Sequence, residues 1–216
     1  MNLCKICGHP TTDILTHKPV QRCHICDFCG YIFKDSVHQL SESEEKAVYL
    51  NHQNSRENIG YVKFLKDFVD QALRPFLPIH ARRGLDYGSG PTPVLQSILE
   101  EEYRMTMAIY DPFFASSRDV LAHTYDFIVS TEVIEHVNDP IRVFECFNHA
   151  LERGGILAIM TLFHPSDIEE FRRWWYVRDL SHVGFFIPKT LEWIADQAGF
   201  EVLHTDHYRT MTFRKK

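Results

Sequence analysis

The sequence predicts a doubly wound, mostly parallel α/β sheet behind a small cysteine-rich head. From residue 84 onward, short apolar runs of strand length alternate with amphipathic helical segments, the pattern of a parallel sheet covered on both faces. The first of these runs ends in a glycine turn, Gly88-Ser89-Gly90, where such sheets bind ligands. Five of the six cysteines fall within the first 29 residues. A length of 216 residues suffices for one such domain and a small appendage. With 44% apolar and 24% charged residues, the chain is neither a collagen, nor a disordered tail, nor a coiled coil. No apolar run approaches the roughly 18 residues of a membrane span, so no membrane partner is expected. The N-terminus lacks an apolar signal-peptide core, which predicts a cytoplasmic protein. In that reducing compartment, close-set cysteines point to metal rather than to disulfides. The net charge of −6 falls wholly after residue 80 and does not favour a nucleic-acid partner.

The head, residues 1–35, contains Cys4, Cys7, Cys23, Cys26 and Cys29. Tetrahedral zinc takes four thiolate or imidazole ligands, commonly from two C-x-x-C hairpins. Cys4 and Cys7 form the first; both Cys23/Cys26 and Cys26/Cys29 have the spacing for the second. A glycine after the second cysteine permits the positive φ that turns backbone N–H groups toward sulfur. Gly8 follows Cys7 and Gly30 follows Cys29, so the expected ligands are Cys4, Cys7, Cys26 and Cys29, with Cys23 spare. Such a closed site is structural, because about 35 residues are too few to fold without a staple.

A helical connector follows over residues 36–80. Ser41-Glu42-Ser43-Glu44 reads as a capping box opening a helix toward His52. A second helix runs from about Asn58 to Leu73, with Val62, Leu65, Val69, Ala72 and Leu73 on one stripe, and Pro75 and Pro78 end it.

The main domain, residues 81–216, opens with the strand-turn-helix Gly84-Leu85-Asp86-Tyr87-Gly88-Ser89-Gly90, its helix running from about Thr92 to Glu102. A second strand, 107–110, ends in Asp111, where an acid can accept two hydrogen bonds from a ribose diol. The dinucleotide fingerprint needs a third glycine where this chain has Pro93. Asp86 is also unfavourable beside a pyrophosphate but suits the cationic amino-acid end of S-adenosylmethionine. A buried strand, 125–131, feeds Glu132-Val133-Ile134-Glu135-His136-Val137. Asp139 then caps a helix with Pro140 at its first position, Gly154 stops it, and strand 155–161 follows. A further helix, about Lys189–Ala198, ends at Gly199, and Phe200–Thr205 with Tyr208–Phe213 complete a hairpin.

On Leu85–Gly90, Tyr110-Asp111-Pro112, Tyr125–Val137 and Leu151–Gly155, the sequence resembles the class I S-adenosylmethionine-dependent methyltransferases. Its E-x-x-E-H-V segment is most similar to the ubiquinone-biosynthesis O-methyltransferase branch, and a cysteine ribbon also precedes some sugar C-methyltransferase domains. The resemblance implies a Rossmann-like sheet of seven strands, the last two an antiparallel hairpin. It implies that Asp86, Gly88, Ser89 and Gly90 line the methionine part of the cofactor and that Asp111 binds the ribose, with Pro112 and Phe113 beside the adenine. Thr131 and Glu132 would face the sulfonium. Thr92 stands at the family's third glycine. Only 14 residues separate Asp111 from Asp126, so the third strand is expected to be short or missing.

Methyl transfer to oxygen needs positioning and removal of a proton. If a helical turn begins at Glu132, then Glu135 and His136 at i+3 and i+4 share its face, able to act as base, to hold Mg²⁺ or Mn²⁺, or merely to brace the next helix. Some O-methyltransferases with this segment, including small-RNA 3′-end enzymes, are similar in using it for a divalent metal. His182 reads either as a further base or ligand or as a hydrogen-bonded core histidine, and Trp174-Trp175-Tyr176, where this fold places its substrate cover, either as lid packing or as a stacking face for a flat substrate. The expected activity is methyl transfer to a small-molecule acceptor, with oxygen ahead of nitrogen or carbon. The alternatives are a methyltransferase whose ribbon grips RNA or protein, and a non-catalytic binding module.

Overall fold

The computed structural model describes residues 2–50 and 54–216. Strands β1 (Thr12–Leu15), β2 (Arg22–Ile25) and β3 (Ile32–Lys34) form the head. Helix α1 (Glu42–Leu50) starts with the expected capping box. The Ser41 backbone N–H donates to Glu44 Oε2 at 2.9 Å, and the Glu44 N–H returns to Ser41 Oγ at 3.4 Å. The end expected toward His52 lies outside the described residues. Helix α2 (Ile59–Phe68) is capped by the Asn58 side chain and continues as a π-turn through Leu73.

The main sheet and its helices follow: β4 (Arg83–Tyr87), α3 (Val94–Glu101), β5 (Thr106–Tyr110), β6 (Tyr125–Thr131), α4 (Pro140–Ala150) and β7 (Leu151–Met160). After them come α5 (Ile168–Arg173), the two-residue β8 (Gly184–Phe185), α6 (Pro188–Gln197), β9 (Phe200–Thr205) and β10 (Thr210–Lys215). Asp139 caps α4 by accepting from the Arg142 N–H at 3.1 Å, with Pro140 at the first position. Asp206 Oδ1 gathers the N–H groups of Tyr208, Arg209 and Thr210, each at 2.8 Å, and so tightens the final hairpin.

The strand order is β5-β4-β6-β7-β10-β9, parallel through β7, with β10 antiparallel to both neighbours. Six strands are present among the described residues where the resemblance implied seven. Between β5 and β6 the chain makes an Asp111–Ala115 bridge and a 3₁₀ turn at Arg118–Ala122. A parallel strand needs a crossover of a dozen or more residues on each side, and this segment is too short to supply them. No helix of the described residues is long and apolar enough to cross a membrane.

The two faces of the sheet bury separate clusters. On one, Leu65, Phe68, Val69 and Leu73 of the connector pack with Ile98, Leu99, Phe127 and Met160. On the other, Phe144, Phe147, Leu157, Leu191 and Phe213 pack together with Cys4, Tyr31 and Phe33 of the head. The head is joined to the main chain by pairing as well, because β3 continues into β8, with Ile32 opposite Phe185 and Phe33 opposite Gly184. The head sheet thus takes its fourth strand from residues 184–185 of the main domain.

Gly84 of β4 pairs with Met107 of β5 on one side and Phe127 of β6 on the other. A Cβ there would collide with the Phe127 ring and lie 2.7 Å from Met107 Sδ. Gly84→Ala is therefore expected to lower stability by about 1–3 kcal/mol through overpacking, seen as a lower urea midpoint at unchanged slope.

Candidate functional site

The glycine turn is stitched to the end of the neighbouring strand. The N–H groups of Gly88 and Ser89 both donate to Tyr110 O, at 2.7 and 3.2 Å, and the Gly90 N–H donates to Asp111 Oδ2 at 2.9 Å. Gly88 has φ +84°, and a Cβ on it would collide with Val133, so conformation and space both require glycine there. Asp111 Oδ1 accepts from the N–H groups of Phe113 (2.8 Å) and Phe114 (3.1 Å), which folds the chain back over the turn. Asp86 ends up buried beside it. Burial pushes its carboxyl up to about 7, and the charge of Asp111 adds to the rise.

The E-x-x-E-H segment departs from the expected helical turn. Glu132 takes φ +53°, a left-handed conformation that is uncommon outside glycine, and its N–H donates to Met160 O at 2.8 Å. Ile134–His136 is a single 3₁₀ turn. The three side chains therefore do not share one helical face: Glu135 is 0% exposed behind the cavity wall, while Glu132 and His136 line the cavity. Tyr176 joins the two carboxyls, its hydroxyl contacting Glu135 Oε1 and lying 3.0 Å from Glu132 Oε2. One hydroxyl proton cannot serve two carboxylates, so the second contact requires a carboxyl proton. The electrostatics agree. Burial, reinforced by the charge of Glu132, pushes Glu135 up to about 8, and burial also raises Glu132. Glu132 Oε1 and Glu135 Oε2 are buried with no hydrogen-bond partner.

Two histidines complete this corner. Nδ1 of His136 lies 3.1 Å from Ser181 O, and Nδ1 of His182 lies 2.9 Å from Tyr176 O. A carbonyl can only accept, so each ring carries its proton on Nδ1, and Nε2 bears the lone pair in the neutral form. Glu135, His136 and His182 bring their ligand atoms within 4.8 Å of one another.

These groups surround a cavity of about 610 Å³. Asp86, Gly88, Ser89, Gly90, Asp111, Pro112, Phe113, Thr131 and Glu132 all line it, as do His136 and His182. Sequence reasoning missed the opposite wall, where α1 and α2 contribute Glu45, Tyr49, Tyr61 and Phe64. It also missed Lys34. This side chain is 0% exposed, donates from Nζ to Asp179 O at 2.6 Å, and has its ammonium pushed down to about 8 by burial. A lysine next to Ile32-Phe33 in a strand was the available signal.

In the head, Sγ of Cys4 and Cys29 are 3.6 Å apart, those of Cys7 and Cys26 3.4 Å, and those of Cys7 and Cys29 3.5 Å. A tetrahedron with metal–sulfur bonds of about 2.3 Å has edges of roughly 3.8 Å, so these four sulfurs fit a zinc ion. Gly8 and Gly30 take the positive φ anticipated, +72° and +78°. Cys23 is buried in a different cluster, with Ile14, Ile32 and Phe185.

A family model described as a methyltransferase domain matches residues 50–205. The chain belongs to the methyltransferase-domain family. No curated protein matches the sequence. Among solved structures, this methyltransferase is similar to an O-methyltransferase family protein of Burkholderia thailandensis, with 14% identity, TM-score 0.54, and 80% of this chain and 63% of that one covered. A mitomycin 7-O-methyltransferase has 12% identity and TM-score 0.56, with 80% and 60% covered. A SAM-dependent methyltransferase of Thermotoga maritima has 16% identity and TM-score 0.53, with 80% and 99% covered. The methyltransferase thus spans about three-fifths of the length of the first two. At these identities the likeness is one of fold.

Glu135 and Asp86 are more basic folded than unfolded, so each contributes stability below its unfolded pKa and loses it as pH rises through about 8 and about 7 respectively. Glu135→Gln and Asp86→Asn are each expected to gain on the parent between about pH 5 and pH 8. Urea midpoints across that range measure the difference, and parallel profiles would refute these protonation states.

Proposed function

We propose that this methyltransferase moves the methyl group of S-adenosylmethionine to a small-molecule acceptor, with oxygen favoured over nitrogen and carbon. The observation that carries the reading is the stitched Gly88–Gly90 turn, with Asp86 and Asp111, opening on the same cavity as Glu132, His136 and His182. Asp86 suits the cofactor's ammonium and Asp111 its ribose hydroxyls, while Phe113 offers a flat apolar face for the adenine. The cofactor supplies a methyl group on a positively charged sulfur. The side chains position the acceptor oxygen in line with that methyl and receive the oxygen's proton, for which the imidazoles of His136 and of His182, the latter with Nε2 3.8 Å from Asp179 Oδ2, are the bases at hand. As the oxygen–carbon bond forms, the sulfur–carbon pair returns to sulfur. Glu135, held protonated beside Tyr176, fits a positioning role better than that of a base.

Glu135, whose Oε2 is orphaned, with His136 and His182 also offers a ligand set for a divalent cation. One carboxylate and two imidazoles suit Mn²⁺ at least as well as Mg²⁺; either would lower the acceptor's pKa. In the head, Cys4, Cys7, Cys26 and Cys29 would hold one structural zinc. We place the protein in the cytoplasm, where reducing conditions keep such thiols available.

Two measurements test this reading. Calorimetric titration with S-adenosylhomocysteine should show saturable binding weakened at least tenfold by Asp86→Ala and by Asp111→Ala. Because Asp86 must ionise to meet the ligand's ammonium, affinity should fall below about pH 7, by up to tenfold per unit. No binding by a folded protein would end the reading. Elemental analysis should find one zinc per chain, lost in Cys26→Ser and kept in Cys23→Ser.

A further inference from the structure

The cavity wall is lopsided in charge. Glu45, Asp86, Asp111, Glu132 and Asp179 line it, and no lysine or arginine does so among the described residues. The neighbouring residues 51–53 are Asn, His and Gln and add no such cation. The nearest cations stand outside the lining. Lys46 lies over the Phe114 ring at 5.7 Å, Arg209 over Phe64 at 5.0 Å with its charge reaching Glu132, and Lys34 donates to the Asp179 carbonyl with the Asp179 charge beside it. On the cofactor reading above, on which this inference rests, Asp86 and Asp111 are taken by the cofactor. That leaves two acids facing the acceptor: Glu45, which accepts from Tyr49, and Asp179, whose Oδ1 accepts from the Ser181 N–H (2.9 Å) and hydroxyl (2.5 Å) and whose Oδ2 lies 3.8 Å from His182 Nε2.

Aromatic faces accompany these acids. Tyr49 donates its hydroxyl to Glu45, and its ring packs against Phe113 (5.6 Å) and His136 (5.2 Å). Trp175 adds an indole at the cavity mouth, 64% exposed. Carboxylates set among aromatic faces attract an ammonium by charge and by cation–π contact. They repel phosphate and carboxylate.

We propose that the acceptor is a small cationic amine, its ammonium recognised by Glu45 and Asp179 among the rings of Tyr49 and Trp175, and that anionic acceptors, nucleic acid included, are rejected.

The test uses three probes of one shape and different charge: 2-phenylethylamine, 2-phenylethanol and phenylacetate. Each is titrated by saturation-transfer NMR and calorimetry into the full-length protein saturated with S-adenosylhomocysteine. The expected result is that the ammonium binds several-fold tighter than the alcohol and at least tenfold tighter than the acid. The double variant Glu45→Gln, Asp179→Asn should bring the amine down to the alcohol while S-adenosylhomocysteine still binds. Phenylacetate binding as well as the amine, an amine preference that survives the double variant, or failure of the amine to bind the loaded protein would each overturn the inference. Absence of S-adenosylhomocysteine binding would overturn the cofactor reading and this inference with it; normal binding of that ligand without the amine sinks this inference alone.

Discussion

The short pairing of β3 with β8 is the constraint on which the site depends. Two residues of strand do not hold themselves together, so the pairing is fixed from both sides. Next to it, Thr190 Oγ1 donates to Cys29 O at 2.8 Å, and His164 Nε2 lies 2.8 Å from Gly30 O. Gly184 has no side chain because Tyr31 occupies the place where a Cβ would stand. Whatever holds Cys26 and Cys29 therefore holds β3, and β3 holds the segment that supplies Tyr176, Asp179 and His182. The Lys34 backbone N–H donates to Val183 O at 3.0 Å, and the Val183 N–H to Glu135 O at 2.7 Å. A chain of hydrogen bonds thus runs from the cysteine cluster to the E-x-x-E-H segment. The head is joined to the corner of Glu135, Tyr176 and His182 rather than appended to the fold.

The same corner carries an electrostatic cost. Burial makes Asp86, Glu132 and Glu135 each hold the proton more tightly, and Glu132 and Glu135 each leave one oxygen without a hydrogen-bond partner. A core built for stability alone would have replaced them with apolar residues. Perturbed acids gathered in one cavity are the mark of a site shaped for a charged ligand. Glu132 in a left-handed conformation adds backbone strain at the same place.

What was legible in the sequence was local. The capping box at Ser41 and Glu44, the Asp139-Pro140 helix start, the glycine turn after Asp86 and the C-x-x-C pairs each signal through neighbours a few residues apart. The choice between Cys23 and Cys29 was also legible, because glycine conformation is set locally. The side-chain directions of Glu132, Glu135 and His136 were not. They depend on the left-handed Glu132, whose N–H is drawn to Met160 on the adjacent strand, and no periodicity reports that. Tyr176, Lys34, Glu45 and Tyr49 reach the site only through tertiary packing, and as isolated letters they read as lid, strand and helix surface.

The missing third strand explains why so much of the cavity comes from the N-terminal part of the chain. Without it, Phe113 and Phe114 stand beyond β5 with no sheet neighbour to cover them. Helix α1 provides the cover: Tyr49 packs on Phe113, and Lys46 lies over Phe114. Glu45 and Tyr49 precede residue 50, where the family match begins. The Gly88–Gly90 turn thus lies within the residues that the family model matches, whereas Glu45 and Tyr49 on the facing wall lie before them. The acceptor has to be read from the chemistry of the wall that α1 and the 175–182 loop supply.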